Sequence, residues 1–237
     1  MLITYEATLI EKKEIVPEIL LLRFSLPEDP SWTYQAGQYM IFHVPTVDVA
    51  HPARRLYSIA SSPTEKTLDF IIEIVPNGVG SIHVKNLSVG QKTTLQGAAG
   101  LFTYTPTDRP VTMLATGTGI APMYSILKSI LPTDSTTPFK LLWGMKYAKD
   151  LYLIPELKKL VQEYTNFSFS VCLSREVSIA DESCMIGRVT AGLQESTEVL
   201  STHQYFLCGG RHVVEALRED LLKLQIPSSQ IHFERFT

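Results

Sequence analysis

The sequence is poor in cysteine: Cys172, Cys184 and Cys208 are the three thiols among 237 residues. They are too few and too widely spaced for a zinc or iron–sulfur framework. An odd, sparse count fits a reducing compartment. Basic charge is not in excess either. Lys and Arg number 21 against 24 Asp and Glu, a formal charge of −3, which leaves no electrostatic footprint for nucleic acid or an anionic membrane. The N-terminal residues MLITYEATLIEKKE lack the basic start and long apolar stretch of a signal peptide. The uncharged run between Arg109 and Lys128 is broken by Gly, Pro and Thr, so it is not read as a membrane span. A cytoplasmic protein without membrane insertion is the expectation. His43, His51, His83, His203, His212 and His232 are scattered without ligand spacing, and no metal site is expected. There is no internal repeat or low-complexity tract.

What is present is ordinary globular composition, 45% hydrophobic and 19% charged, in a chain long enough for two domains with a core each. The first hundred residues read as β-rich. TLDFIIEIV alternates Leu68, Phe70, Ile72 and Ile74 against Asp69, Ile71 and Glu73, the period of a strand with one strongly buried face. EILLLRFSL, QYMIFHVP, RLYSIAS and QKTTLQG are further short strands between turn signals, which together predict an antiparallel barrel or sandwich.

After TPTDRP the pattern changes. VTMLAT reads as a buried strand, and Met123, Ile126, Leu127, Ile130 and Leu131 then fall on one helix face. PFKLLWGM, FSFSVCLS, QYFLCGG and QIHFERF read as strands. Between them lie a helix burying Leu157, Leu160, Val161 and Tyr164, and another with a stripe of Val213, Leu217, Leu221 and Leu224. Alternating strands and helices predict a parallel sheet, which takes ligands beyond the carboxyl ends of its strands. The expected domains are 1–106 and 107–237.

Three stretches carry candidate chemistry. In TGTGIAP, Gly117 and Gly119 permit close approach to the backbone, Thr116 and Thr118 add hydroxyls, and Pro122 suits a first helical turn whose N–H groups attract phosphate. A tight turn without a ligand would look the same, and the lysine of a Walker loop is missing. In RRLYSIASS, Arg55, Tyr57 and Ile59 share one strand face and Ser58 takes the other. Alone, this is equally an ordinary strand with a surface arginine. In NGVGSIHVKNL, Asn77-Gly78 marks a turn and Ser81 is a candidate N-cap of a short helix.

The order RLYS, GVGS, TGTGIAP, CGG and an aromatic–acidic C-terminus resembles the ferredoxin–NADP reductase family of flavoproteins, from AGQYM at Gly37 to HFERF. The resemblance implies an antiparallel flavin-binding β-barrel followed by an α/β parallel-sheet domain for the nicotinamide nucleotide. It implies FAD as the flavin, held by Arg55, Leu56, Tyr57 and Ser58 and by the turn Gly78, Val79, Gly80 and Ser81. By that resemblance Arg55 is expected to pair with the pyrophosphate, Tyr57 to pack on the isoalloxazine, and Ser58 to bond near the hydride-accepting nitrogen. Thr116, Gly117, Thr118, Gly119 and Pro122 cradle the second pyrophosphate. By the same resemblance Ser174, Arg175 and Arg188 are expected to select NADPH, with NADH as the other possibility, and the cofactor-binding residue Lys146 stands where the family often has an arginine. Cys208, Gly209, Glu234 and Phe236 shape the nicotinamide end, with Ser58, Cys208 and Glu234 as the catalytic set. Phe236 is a candidate cover for the flavin face opposite Tyr57. The acceptor implied is a separate protein, ferredoxin or flavodoxin. Alternatives are an oxygenase reductase component, a free flavin reductase, or a flavin-carrying relay subunit that uses no nicotinamide.

Overall fold

The computed structural model describes residues 2–27, 32–46, 52–194 and 200–236; His51 lies outside them. Two compact units are present, one of residues 1–104 with 124–129, the other of 105–123 with 130–237.

The first unit is a six-stranded antiparallel sheet. Its strands are β1 (Ile3–Val16), β2 (Ile19–Ser25), β3 (Tyr39–Val44), β4 (Ala53–Ser58), β5 (Thr67–Glu73) and β6 (Lys92–Ala99), in the order β4-β3-β6-β1-β2-β5. A bridge between Ile59 and Phe70, and the Ala60 N–H donated to the Asp69 carbonyl at 2.8 Å, join the two ends of the sheet into a barrel. Phe24, Phe42 and Phe70 meet edge to face inside it, with centroids 5.0 to 5.8 Å apart.

Two expectations need correction here. In β5 both faces are buried, because Asp69 and Ile71 are each only 6% exposed. On the face opposite Leu68 and Phe70, Asp69 takes the Arg23 guanidinium at both oxygens, Nε to Oδ1 and Nη2 to Oδ2, each at 2.8 Å. Ser81 is not a cap. The helix α1 (Val79–Asn86) starts two residues earlier with Gly78 as N-cap, and Ser81 Oγ accepts the Val75 N–H at 2.9 Å. The 14-residue β1 was not foreseen; its buried Tyr5, Ala7 and Leu9 run on into charged residues that hide the alternation.

The second unit is an all-parallel sheet of β7 (Val111–Thr116), β8 (Phe139–Met145), β9 (Phe167–Leu173), β10 (Cys184–Ile186), β11 (Gln204–Gly210) and β12 (Ile231–Phe236). The helices are α2 (Ile120–Ile130), of which residues 124–129 group with the first unit, α3 (Ile154–Glu163), α4 (Val189–Gln194) and α5 (Arg211–Lys223). The strand order is β10-β9-β8-β7-β11-β12. The chain therefore winds outward from β7 in one direction, then returns to β11 on its other side. Such a reversal opens a crevice beyond the carboxyl ends of the two strands that flank it, β7 and β11.

Two helix faces differ from the spacing. In α3 only Leu157 is buried, and Val161 is 38% exposed. In α5 the inward stripe is Val214, Leu217 and Leu221, with Val213 and Leu224 exposed. Both helices cover the sheet along narrower lines than their apolar residues suggest. No helix among the described residues is long and apolar enough to cross a membrane.

Candidate functional site

Two backbone corners stand out, one in each unit. In the first, β4 runs beside the start of α1. A Cβ placed on Gly80 would lie 2.4 Å from Tyr57 Oη and 2.9 Å from Arg55 Cγ, so both side chains rest against the helix backbone at a point where only glycine fits. The RLYS and GVGS motifs, 22 residues apart at Tyr57 and Val79, thus form a single surface. Tyr57 is half-buried, its ring edge-on to Phe42 at 4.9 Å. Burial pushes its phenol pKa up, and the Arg55 charge opposes that shift. Arg55 is exposed, and its Nη1 donates to the Arg54 carbonyl at 2.8 Å, which fixes the guanidinium. Among the described residues no side chain caps the N-terminus of α1, and its first-turn N–H groups have no intrahelical partner. Leu56, 55% exposed, alternates to the other face of β4. Ser58 is buried at 7%, in register with Tyr39.

The second corner lies at the reversal point of the parallel sheet. Thr116 ends β7, and the single 3-10 turn Gly117–Gly119 leads directly into α2, where Pro122 occupies the first turn. A Cβ on Gly119 would stand 2.3 Å from the Cys208 carbonyl oxygen, and one on Gly209 (φ +148°) would stand 2.0 Å from Thr116 Oγ1. The ends of β7 and β11 are pressed together more tightly than any side chain allows. Gly117 differs: at φ +53° a would-be Cβ has nothing within 4 Å among the described residues, so it faces open space there. Its carbonyl oxygen accepts from Trp143 Nε1 at 2.9 Å and Tyr152 Oη at 3.1 Å.

Cys208 is 1% exposed and in register with Glu234. Burial, reinforced by the Glu234 charge, pushes its thiol well up, so it stays a neutral thiol rather than a nucleophile. Phe236 is half-buried, in register with Gly210.

A third group gathers at the carboxyl ends of β8, β9 and β10. The Ser174 N–H donates to the Met145 carbonyl and the Arg175 N–H to that of Lys146, both at 3.0 Å. The Gly187 N–H donates to the Leu173 carbonyl at 3.0 Å, which brings Arg188 to the same edge. Lys146, Ser174, Arg175 and Arg188 are all exposed. Three cations and a hydroxyl on neighbouring loops suit a doubly charged phosphate. Among the described residues no cluster of His, Cys, Asp or Glu is arranged to hold a metal.

Residues 6–104 match the family model of the oxidoreductase FAD-binding domain, and residues 113–219 that of the oxidoreductase NAD-binding domain. The chain belongs to the ferredoxin–NADP reductase-like family. It is 29% identical over 228 residues to the reductase component of propane 2-monooxygenase from Gordonia sp. (strain TY-5), covering 94% of this chain and 65% of that protein. It is 28% identical over 243 residues to ferredoxin–NADP reductase B of Sorangium cellulosum, covering 98% and 97%. Among solved structures, an Amycolatopsis cytochrome P450 reductase superposes with a TM-score of 0.89 at 27% identity, over 100% of this chain and 70% of that one. The chain thus spans about two thirds of the length of several relatives it matches.

The residues fit the cofactors of this family of FAD- and NAD-binding oxidoreductases. The tight glycine at 80 carries a cation and an aromatic ring onto a bare helix N-terminus, and the open glycine at 117 leaves the backbone accessible at the reversal point. Sequence reasoning did not single out Trp143 and Tyr152, although both lie in the stretch LLWGMKYAKDLYLIPEL. It also missed Lys12, whose Nζ donates to the Lys85 carbonyl at 2.5 Å and the Leu87 carbonyl at 2.8 Å, tying down the C-terminal end of α1. A polar-tipped aromatic at the end of a buried strand was the available signal for Trp143. Lys12 left none.

Proposed function

We propose that this chain is an NAD(P)H-dependent flavoprotein reductase that passes electrons to a separate acceptor protein, ferredoxin or flavodoxin. The observation that carries the reading is the pair of side-chain-free corners at Gly80 and Gly119, each inside the half matched by the corresponding cofactor-domain model. Residues 1–106 form the flavin domain and 107–237 the nicotinamide-nucleotide domain. Held in the first unit, FAD would supply the chemistry of accepting hydride from a reduced nicotinamide and releasing electrons onward.

The chain's own groups bind and orient. Arg55 and the N–H groups of Val79, Gly80 and Ser81 hold the flavin's pyrophosphate, Tyr57 stacks on its ring system, and Ser58 bonds the ring edge. Thr116 to Gly119 hold the nicotinamide nucleotide's pyrophosphate at the N-terminus of α2. Ser174, Arg175, Lys146 and Arg188 take the 2′-phosphate and favour NADPH over NADH. Cys208, Gly209, Glu234 and Phe236 stand at the carboxyl ends of β11 and β12, where they shape the seat of the nicotinamide. A neutral Cys208 there supplies shape and polarizability, and the reaction needs no covalent nucleophile. Three widely spaced cysteines suit the reducing cytoplasm as its compartment.

A second reading, supported by the Gordonia relative, makes the acceptor an oxygenase. Anaerobic titration of the purified, flavin-loaded protein with NADPH, and separately with NADH, tests the reductase reading. Bleaching of the flavin at stoichiometric NADPH is expected. Bound flavin that neither nucleotide reduces would leave only the relay-subunit role. Reoxidation of the reduced protein by ferredoxin, flavodoxin, an oxygenase component and free flavin then ranks the acceptors.

A further inference from the structure

The turn at Gly117–Gly119 depends on two side chains outside its own motif. Trp143, on β8, is fully buried, and Tyr152, just before α3, is 6% exposed. Their rings meet edge to face at 4.9 Å with 76° between planes, and both polar tips converge on one atom, the Gly117 carbonyl oxygen. That oxygen has two lone pairs, and each receives a donor.

A trans peptide is planar, with its carbonyl and its N–H on opposite sides. Fixing the Gly117 oxygen toward Trp143 and Tyr152 therefore directs the Thr118 N–H of the same peptide unit the other way. Gly117 itself imposes no such choice. Rotating the Gly117–Thr118 peptide plane turns ψ of Gly117, which glycine leaves free, and φ of Thr118, whose β-branched side chain opposes full inversion, so the plane can still tilt. A tilted unit aims the Thr118 N–H away from an anion seated at the turn and swings the carbonyl dipole toward it, which weakens the attraction.

We propose that Trp143 and Tyr152 are positioning residues for the nicotinamide nucleotide. They lock the Gly117–Thr118 peptide in the orientation that receives the pyrophosphate. The inference rests on the nicotinamide-nucleotide reading of the second unit. Neither side chain touches the ligand; they act through the backbone between them and it.

The variants Trp143→Phe and Tyr152→Phe each remove one donor and keep a ring in place. The readout is the calorimetric dissociation constant of NADP⁺ or NAD⁺, whichever the wild type binds more tightly. It is compared with that of the matching fragment lacking a pyrophosphate, adenosine 2′-phosphate or adenosine. Each single variant should weaken the dinucleotide roughly 3- to 10-fold, the scale of one hydrogen bond. The double variant should lose more, while the fragment stays within about twofold in all three. Wild-type affinity for the dinucleotide in the double variant overturns the proposal, as does an equal loss for dinucleotide and fragment, which would mark general damage to the fold. If Trp143→Phe fails to fold, Tyr152→Phe decides the matter by the same comparison. A wild-type protein that binds neither dinucleotide refutes the nucleotide reading and takes the proposal with it. That outcome is distinct from a wild type that binds and variants that bind equally well.

Discussion

Replacing Gly80 by alanine sets two opposing effects against each other. The residue lies in the first turn of α1, outside the left-handed region, so alanine meets no backbone strain there. On helix propensity alone the change stabilises by up to about 1 kcal/mol. The new methyl, however, arrives 2.4 Å from Tyr57 Oη and 2.9 Å from Arg55 Cγ. Reaching ordinary contact requires a shift of about 1 Å, and neither neighbour yields easily. Tyr57 is wedged against Phe42, and the Arg55 contact is close to the root of its side chain on β4. Overpacking of this kind costs about 1–3 kcal/mol. The net change in unfolding free energy is therefore between zero and about 2 kcal/mol of destabilisation. Flavin affinity should fall further, at least about tenfold or 1.4 kcal/mol, because the two displaced side chains are those assigned to pyrophosphate and ring. Urea unfolding of the flavin-free protein measures the first quantity and fluorescence titration with FAD the second. A Gly80→Ala protein that is more stable and binds FAD as the wild type does would refute the assignment of this corner.

Three further outcomes are expected. Arg175→Glu should raise the KM for NADPH far more than that for NADH in steady-state assays, and equal effects would remove Arg175 from the 2′-phosphate site. Asp69→Asn should destabilise the barrel by about 1–3 kcal/mol in urea, because it loses one arm of the paired contact with Arg23. Arg23 keeps Glu11 at 2.7 Å, so the cost stays below that of a fully orphaned charge. The N–H of Thr137, with further bonds from Thr137 and Thr136, lowers the Asp134 pKa from 3.8 to about 2. Its folded pKa lies below the unfolded one, so its contribution is complete above about pH 4 and is lost as pH falls toward about 2. Thermal unfolding of Asp134→Ala should accordingly show a shallower loss of stability across that window; an unchanged acid limb would contradict it.

Much of the architecture was legible because it rests on periodicity. The strands β2 to β9, β11 and β12 and the helices α2, α3 and α5 announce themselves by spacing and turn residues. Failures came where tertiary contacts override pattern. Asp69 reads as solvent-facing until Arg23, 46 residues away, supplies a partner for it. The outward drift of Val213 and Leu224 depends on the line along which α5 meets the sheet. The short β10 and α4 have too few residues to show a period. At the candidate site, glycine and proline in TGTGIAP carried a backbone signal that any reader of turns finds. The support of that turn by Trp143 and Tyr152 is invisible until β8 lies beside β7. The contact of Gly80 with Tyr57 likewise exists only once the barrel brings β4 to α1.

The central claim is that one chain carries a flavin and reduces it with a nicotinamide nucleotide. Stopped-flow mixing of the flavin-loaded protein with NADPH, and with NADPH deuterated at the transferred position of the nicotinamide, tests it most directly. Flavin bleaching in a single turnover, slowed by deuterium, is the predicted result. Bleaching that is insensitive to deuterium at every NADPH concentration would separate flavin reduction from a hydride step, and no bleaching with either NADPH or NADH would contradict the claim outright.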